Sequence, residues 1–204
     1  MTGRSINTVL FDLDGTLLDT ARDLANALNR LLEEEGMVPL PFETIRNVVS
    51  NGGNALVRLG FNTETDSERH LQLYQRLLNL YEQNLTQHTV PFPGIEALLA
   101  TLDQFDLSWG VVTNKPSKYT LPIREKMALK PAFAAVVCAD QVTHSKPHAE
   151  PMLKACDLIG CAPEQAIYVG DHRRDIEAGR NAGMITVAAH YGYIEAQDDP
   201  EAWG

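Results

Sequence analysis

The residues able to do chemistry collect in four short stretches. The first is Asp12-Leu13-Asp14-Gly15-Thr16, which ends the β-branched and apolar run 6–11. The second is Thr113-Asn114-Lys115-Pro116, the third Ser145-Lys146-Pro147, and the fourth Gly170-Asp171-His172-Arg173-Arg174-Asp175. An Asp-x-Asp pair alone is expected about once by chance at this aspartate content. With Gly15 and Thr16 at their offsets the expectation falls to about 0.004.

One reaction makes sense of such a set. A carboxylate can attack phosphorus and form an aspartyl-phosphate, which divides one difficult hydrolysis into two steps. A phosphomonoester dianion approaches a carboxylate only when charge is neutralised, and Mg²⁺ held by Asp oxygens and water does this. Lys146 offers a point charge to phosphate and nucleophile. The Thr113 hydroxyl and nearby backbone N–H groups can bond phosphate oxygens. A second acid two residues from the nucleophile can protonate the leaving alkoxide and then activate water.

These stretches need elements to bring them together. Short Val/Ile-rich runs predict strands at 6–11, 109–113, 134–138, 166–169 and 185–188. Helices are predicted at 95–102, 118–127, 151–158 and 175–182. Strands alternating with helices imply a parallel sheet with helices on both faces, an α/β Rossmann-like core. Ligands of such sheets bind outside the carboxyl ends of the strands, where all four stretches fall.

Between the first strand and the next core helix the texture differs. Leu24, Leu28, Leu31 and Leu32 recur at helical spacing, with Thr20-x-x-Asp23 as the expected cap and Gly36 as the stop. A second helix is predicted at 42–49. Ser50-Asn51-Gly52-Gly53 interrupts it, and one or two turns follow over 55–59. A long helix at 66–85 would carry Leu71, Tyr74, Leu78 and Tyr81 on one stripe. The organisation read from this is a core of residues 1–19 and 89–204 with an all-helical cap of residues 20–88. The Pro-rich stretch 91–93 suits the boundary.

Composition excludes some classes. The chain has 204 residues and a formal charge of −10, which argues against nucleic-acid and anionic-membrane surfaces. No apolar run approaches the ~20 residues of a membrane span, and the start lacks a secretory h-region. The three cysteines, Cys138, Cys156 and Cys161, read as free thiols in a reducing cytoplasm.

On these four motifs, in this order, the sequence resembles the haloacid dehalogenase-like hydrolases. The match extends from Phe11 through Thr20, over Val111 to Pro116 and Ser145 to Pro147, and from Val169 to Asp175. It is similar in particular to the phosphoglycolate phosphatase-like branch. The stretches 109–116, 150–153 and 191–194, with Trp203-Gly204, are similar to bacterial N-acetylmuramic acid 6-phosphate phosphatases. The resemblance implies Asp12 as nucleophile, Asp14 as general acid/base, and Thr113, Asn114 and Lys146 at the phosphate. It implies Mg²⁺ on the Asp12 carboxylate, the Asp14 main-chain oxygen and Asp171, with Asp175 in support. It implies a small-molecule phosphomonoester as substrate, with the protein a monomer or homodimer. Relatives commonly continue past 201–204 with another strand and helix.

Several residues carry two readings. His172 beside the metal acid could be a ligand or a solvated residue at a helix start. Lys115 reads as solvated, though close enough to touch substrate. Leu24, Leu28, Tyr74 and Tyr81 read as cap core. Arg46 and Arg58 need no explanation as surface charges; as substrate contacts they are the best cations of the cap. Asn51, Gly52 and Gly53 form the loop expected to press onto the site. A sugar phosphomutase would share all four motifs. A dehalogenase has no need of Asp14 or a metal, and a phosphoaspartate receiver has no long helical insert.

Overall fold

The computed structural model describes residues 5–195 and 197–203. The expectations touching residues 1–4 and Gly204 lie outside the described residues. The chain begins with β1 (Thr8–Phe11) and a two-residue β2 (Leu18–Asp19). Helices α1 (Ala21–Glu34), α2 (Phe42–Arg46), α3 (Gly52–Phe61) and α4 (Glu68–Gln83) follow, with a 3₁₀ turn over Val49–Asn51. The chain returns through β3 (Val90–Pro91) and continues with α5 (Ile95–Gln104), β4 (Ser108–Val112), α6 (Ser117–Met127) and β5 (Ala135–Val137). Then come α7 (Glu150–Ile159), β6 (Ala166–Gly170), α8 (Arg173–Asn181) and β7 (Ile185–Ala188).

Five strands form one parallel sheet in the order β5-β4-β1-β6-β7. β1 is central and buried throughout, so its sequence is a continuous apolar run without alternation. One face packs Phe11 and Trp109 edge to face with the helical region; the other packs Leu10, Val112, Tyr168 and Met152. The expected α/β sheet and its helices are therefore present, each within a few residues of the predicted span.

Helices α1–α4 form the cap region. Leu28, Leu31 and Leu32 of α1 pack with Leu56 and Val57 of α3 and Leu73 and Leu77 of α4. Truncating one such leucine to alanine costs about 2–5 kcal/mol. The stripe expected on α4 is displaced: Leu73, Leu77, Leu80 and Tyr81 are buried, whereas Leu71 is exposed. Tyr74 and Leu78 face a cavity, as does Leu24. The cause is that α4 packs on one side against α1 and α3 and opens to the sheet's edge on the other.

Among the described residues the 20–88 segment holds helices and no strand. Two short strands that the sequence did not signal flank it: β2 pairs antiparallel with β3, Leu18 opposite Pro91 and Asp19 opposite Val90. One local expectation is corrected. Thr20 and Asp23 do not cap α1 through their side chains. Thr20 Oγ1 donates to Asp14 at 2.5 Å, and Asp23 accepts from the backbone N–H of His88 and Thr89 and the Thr89 hydroxyl. The N-terminal amides of Thr20 and Ala21 are met instead by the Tyr193 hydroxyl, at 2.7 and 3.0 Å.

Candidate active site

The parallel register brings the four stretches to one edge. Asp12 follows β1, Thr113 follows β4 and Asp171 follows β6; Lys146 lies in the connection between β5 and α7. Their side chains meet. Lys146 Nζ lies 2.9 Å from Asp12 Oδ1 and 2.7 Å from Asp175 Oδ1, with its side chain 1% exposed. The Leu13 amide donates to the same Asp12 oxygen at 2.7 Å. Among the described residues no hydrogen bond ends on Asp12 Oδ2.

Asp12, Asp171 and Asp175 are all buried, and one ligand oxygen from each lies within 4.8 Å of the others. Asp171 is held by the Thr16 hydroxyl at 3.1 Å and the Tyr193 amide at 2.8 Å. Gly15 is required here: its φ is +84°, and a Cβ on it would stand 2.0 Å from Asp171 Oδ2. Three buried carboxylates face one ammonium. Burial pushes the Asp171 carboxyl up to about 7, and the Asp12 and Asp175 charges add to the rise. Burial likewise pushes Asp12 up, against the pull of Lys146. Burial opposes the Lys146 ammonium, but Asp12 and Asp175 outweigh it and hold its pKa above the usual lysine value. This all-oxygen set with unneutralised charge fits a divalent cation.

The neighbouring expectations resolve one by one. Asp14 stands outside the acid cluster; Lys115 Nζ approaches its two oxygens at 2.9 and 3.2 Å. Lys115 is not solvated: its side chain is 8% exposed, and Nζ lies 4.8 Å from the centre of the Tyr81 ring. Thr113 is buried, and its hydroxyl accepts from the Lys115 amide at 3.1 Å. Asn114 lines the cavity beside Thr113. Its amide makes two 3.0 Å bonds to the Lys146 backbone, one donated and one accepted, which clamps the Lys146 loop to the end of β4. His172 is the N-cap of α8. Its Nδ1 accepts from the Arg174 amide at 3.2 Å, and burial with the nearby Arg174 lowers its pKa to about 4.

Above these residues lies a cavity of about 490 Å³. Asp12, Asp14 and Thr113 form its floor; Asn51, Gly52 and Gly53 lie in its wall, with Tyr74 and Leu78 beside Gly53 and Leu24 also lining it. Its cations are Lys115, Lys118 and Arg174, the last two missed in the sequence. The Arg174 guanidinium donates to the Ser50 carbonyl, tying α8 to the cap loop. Arg46 and Arg58 are elsewhere. Arg46 donates to the Gly192 carbonyl at 3.2 Å and stacks 5.0 Å over the Tyr193 ring, while Arg58 donates to the Thr65 hydroxyl. Neither lines the cavity, whereas Arg174 does.

A second cluster, His144, His148 and Glu150, lies on the surface. Glu150 accepts from the amides of Thr143 and His144, and His148 Nδ1 accepts from the Glu150 amide. It is a loop clamp in which both Glu150 carboxylate oxygens accept from backbone amides. Among the described residues no helix is long and apolar enough to cross a membrane.

A doubly wound parallel sheet, buried acids at its carboxyl edge and a helical cap above them define a capped α/β protein with an acidic site. Residues 9–189 match the family model described as haloacid dehalogenase-like hydrolase, and the chain belongs to that family. An N-acetylmuramic acid 6-phosphate phosphatase of Pseudomonas aeruginosa is 41% identical over 199 residues, 98% of this chain and 88% of the relative. A phosphoglycolate phosphatase of Xanthomonas campestris pv. campestris is 40% identical over 195 residues, 96% of this chain and 88% of the relative. The crystal structure of a "predicted phosphoglycolate phosphatase" from Haemophilus somnus superposes with a TM-score of 0.82 at 26% identity, covering 94% of this chain and 88% of that one.

Proposed function

We propose that the chain is a phosphomonoesterase that hydrolyses a phosphorylated amino sugar acid of the N-acetylmuramic acid 6-phosphate kind. In this reading an Asp12 oxygen attacks phosphorus, and the P–O bond to the leaving group breaks. Asp14 gives a proton to the departing alkoxide. Asp14 then takes a proton from water, which attacks the aspartyl-phosphate and releases inorganic phosphate and free Asp12. Lys146 and Thr113 hold the phosphate oxygens, and Asn114 holds Lys146. Asp12, Asp171 and the Asp14 main-chain oxygen would hold Mg²⁺, with Asp175 in support; when bound it neutralises the carboxylates and the phosphate so that the two can meet.

The observation that carries the substrate is the cavity. A volume of about 490 Å³ is in the range of sites for ligands larger than a two-carbon acid. It is charged at its floor and apolar where Leu24, Val49, Tyr74 and Leu78 line it. An amino sugar with a lactyl ether presents both an apolar face and a carboxylate, and Lys118 and Arg174 are cations beyond the phosphate site. The nearly equal identity of the Xanthomonas relative favours 2-phosphoglycolate as the second reading. Comparing kcat/KM for the two compounds tests this. A preference for 2-phosphoglycolate of ~100-fold, about 2.7 kcal/mol, would eliminate the amino sugar.

A further inference from the structure

Lys146 is surrounded by more acceptors than it has protons to give. An ammonium carries three N–H groups. Around Nζ stand two ion-pair oxygens, Asp12 Oδ1 at 2.9 Å and Asp175 Oδ1 at 2.7 Å, and two hydrogen-bond acceptors, Tyr168 Oη at 2.9 Å and the Val112 carbonyl at 3.1 Å. Tyr168 Oη is also 2.7 Å from that carbonyl. A carbonyl can only accept, so the phenol proton goes to Val112 and the phenol oxygen accepts from Lys146. Tyr168 is fully buried on β6, and Val112 ends β4, on the far side of β1. The hydroxyl thus ties the two strands that flank the Asp12 strand.

We infer that Tyr168 is a positioning residue that frees one Lys146 proton for the phosphate of the substrate. The inference rests on the assignment of Lys146 to the phosphate made above. A phosphate oxygen arriving at Asp12 needs an N–H from Lys146. Drawing it from Asp12 or Asp175 would strip a counter-charge from a buried carboxylate in a cluster already rich in negative charge. Drawing it from the Val112 side strands nothing, because Tyr168 keeps donating to that carbonyl. With phenylalanine at 168, Lys146 is the one side-chain donor left to Val112 among the described residues. Turning toward phosphate then leaves a buried carbonyl unbonded. The hydroxyl therefore acts on binding of the phosphoryl group and is indifferent to the leaving group.

The test is Tyr168→Phe in the Mg²⁺-loaded full chain, with Tyr168→Met as a second variant lacking the hydroxyl but able to fill the slot. The readouts are the inhibition constant of inorganic phosphate and the KM and kcat for p-nitrophenyl phosphate and an amino sugar phosphate. Phosphate inhibition should weaken about tenfold, equivalent to about 1.4 kcal/mol. KM should rise by a similar factor on both substrates, with the melting temperature of Tyr168→Phe within a few degrees of wild type. An unchanged phosphate inhibition constant in either folded variant overturns the inference, as does a loss confined to one leaving group. A wild-type protein that hydrolyses no phosphomonoester and is untouched by phosphate overturns the proposed function and this inference together. An active wild type with unaltered variants overturns this inference alone.

Discussion

Lys115 and Asp14 form an ion pair at the floor of the cavity, 2.9 Å from Nζ to Oδ1, beside the ring of Tyr81. Burial works against the Lys115 ammonium, but Asp14 and Tyr81 more than compensate and hold its pKa above the ordinary lysine value. The ammonium therefore stays charged across the working pH range. Its partner is the carboxylate that the proposed mechanism assigns to the leaving group, and the Thr20 hydroxyl at the entrance to α1 bonds the same Asp14 oxygen. Lys115→Met should lower kcat/KM on a sugar phosphate by roughly 10–100-fold, within the range of general acid–base assistance. The loss on p-nitrophenyl phosphate should be much smaller, since that leaving group departs without a proton. Equal losses on both would show that Lys115 acts elsewhere.

Asp12→Asn should reduce turnover by roughly 10⁴-fold or more, the scale of removing a nucleophile. It should also abolish labelling of the protein by phosphate, which mass spectrometry of the quenched enzyme can follow. The metal-free variant should melt no lower than wild type, because it removes one of three crowded carboxylates. Phosphate found on another residue would displace Asp12 from its role.

Asp171 makes stability depend on pH and metal together. Its carboxyl is pushed from 3.8 to about 7 in the folded protein by burial and by Asp12 and Asp175. The folded state therefore binds this proton more tightly than the unfolded chain. The resulting stabilisation is complete below pH ~4 and is lost as pH rises toward ~7. The metal-free protein should lose this contribution between pH 4 and 7. Mg²⁺ competes with that proton, so its stabilising shift in melting temperature should be larger at pH 8 than at pH 5.5. Equal shifts at both pH values would exclude Asp171 from the metal site.

The two glycines of the cap loop should behave differently. A Cβ on Gly53 would stand 2.8 Å from the Tyr74 ring and press it into the cavity. Gly53→Ala should thus lower kcat/KM for the bulky amino sugar phosphate several-fold more than for p-nitrophenyl phosphate. Gly52 has open space around it but a φ of +78°. Gly52→Ala should therefore cost about 1 kcal/mol of stability and leave the substrate ratio intact.

Arg46 holds the end of α2 to the 191–193 segment and does not line the cavity. Arg46→Ala should lower the melting temperature by a few degrees and leave the ratio of kcat/KM between the two candidate substrates unchanged. A selective loss on the carboxylated sugar would restore it to the substrate site.

The sheet, its helices and the convergence of Asp12, Thr113, Lys146 and Asp171 were legible because three of the motifs end apolar runs and the fourth lies in the loop after another strand, and parallel topology does the rest. What escaped was decided by contacts distant in sequence. Thr20 and Asp23 satisfy the local capping pattern, yet the Tyr193 hydroxyl and the 88–89 backbone claim those positions. β2 and β3 are two residues each, too short for any periodicity to register. Asn114 sits in a phosphate motif, but which way an amide points depends on the loop that folds over it. Arg174 was readable as part of the fourth motif; its place in the cavity follows from the first turn of α8 meeting Ser50.

The placement of β1 between β4 and β6 sets the order in which the catalytic edge comes into being. Its neighbours lie about a hundred and about 158 residues further along the chain, so both of its ladders are long-range closures. Contacts of that span are slow to form. The Thr16–Asp171 bond joins residues 155 apart. During synthesis the helices of the cap leave the ribosome first and can pack among themselves, while Asp12 waits without Lys146, Asp175 or Asp171. Asp12, its Lys146 partner and the neighbouring acids are thus assembled in one late event, and a nascent chain short of β6 has no complete site.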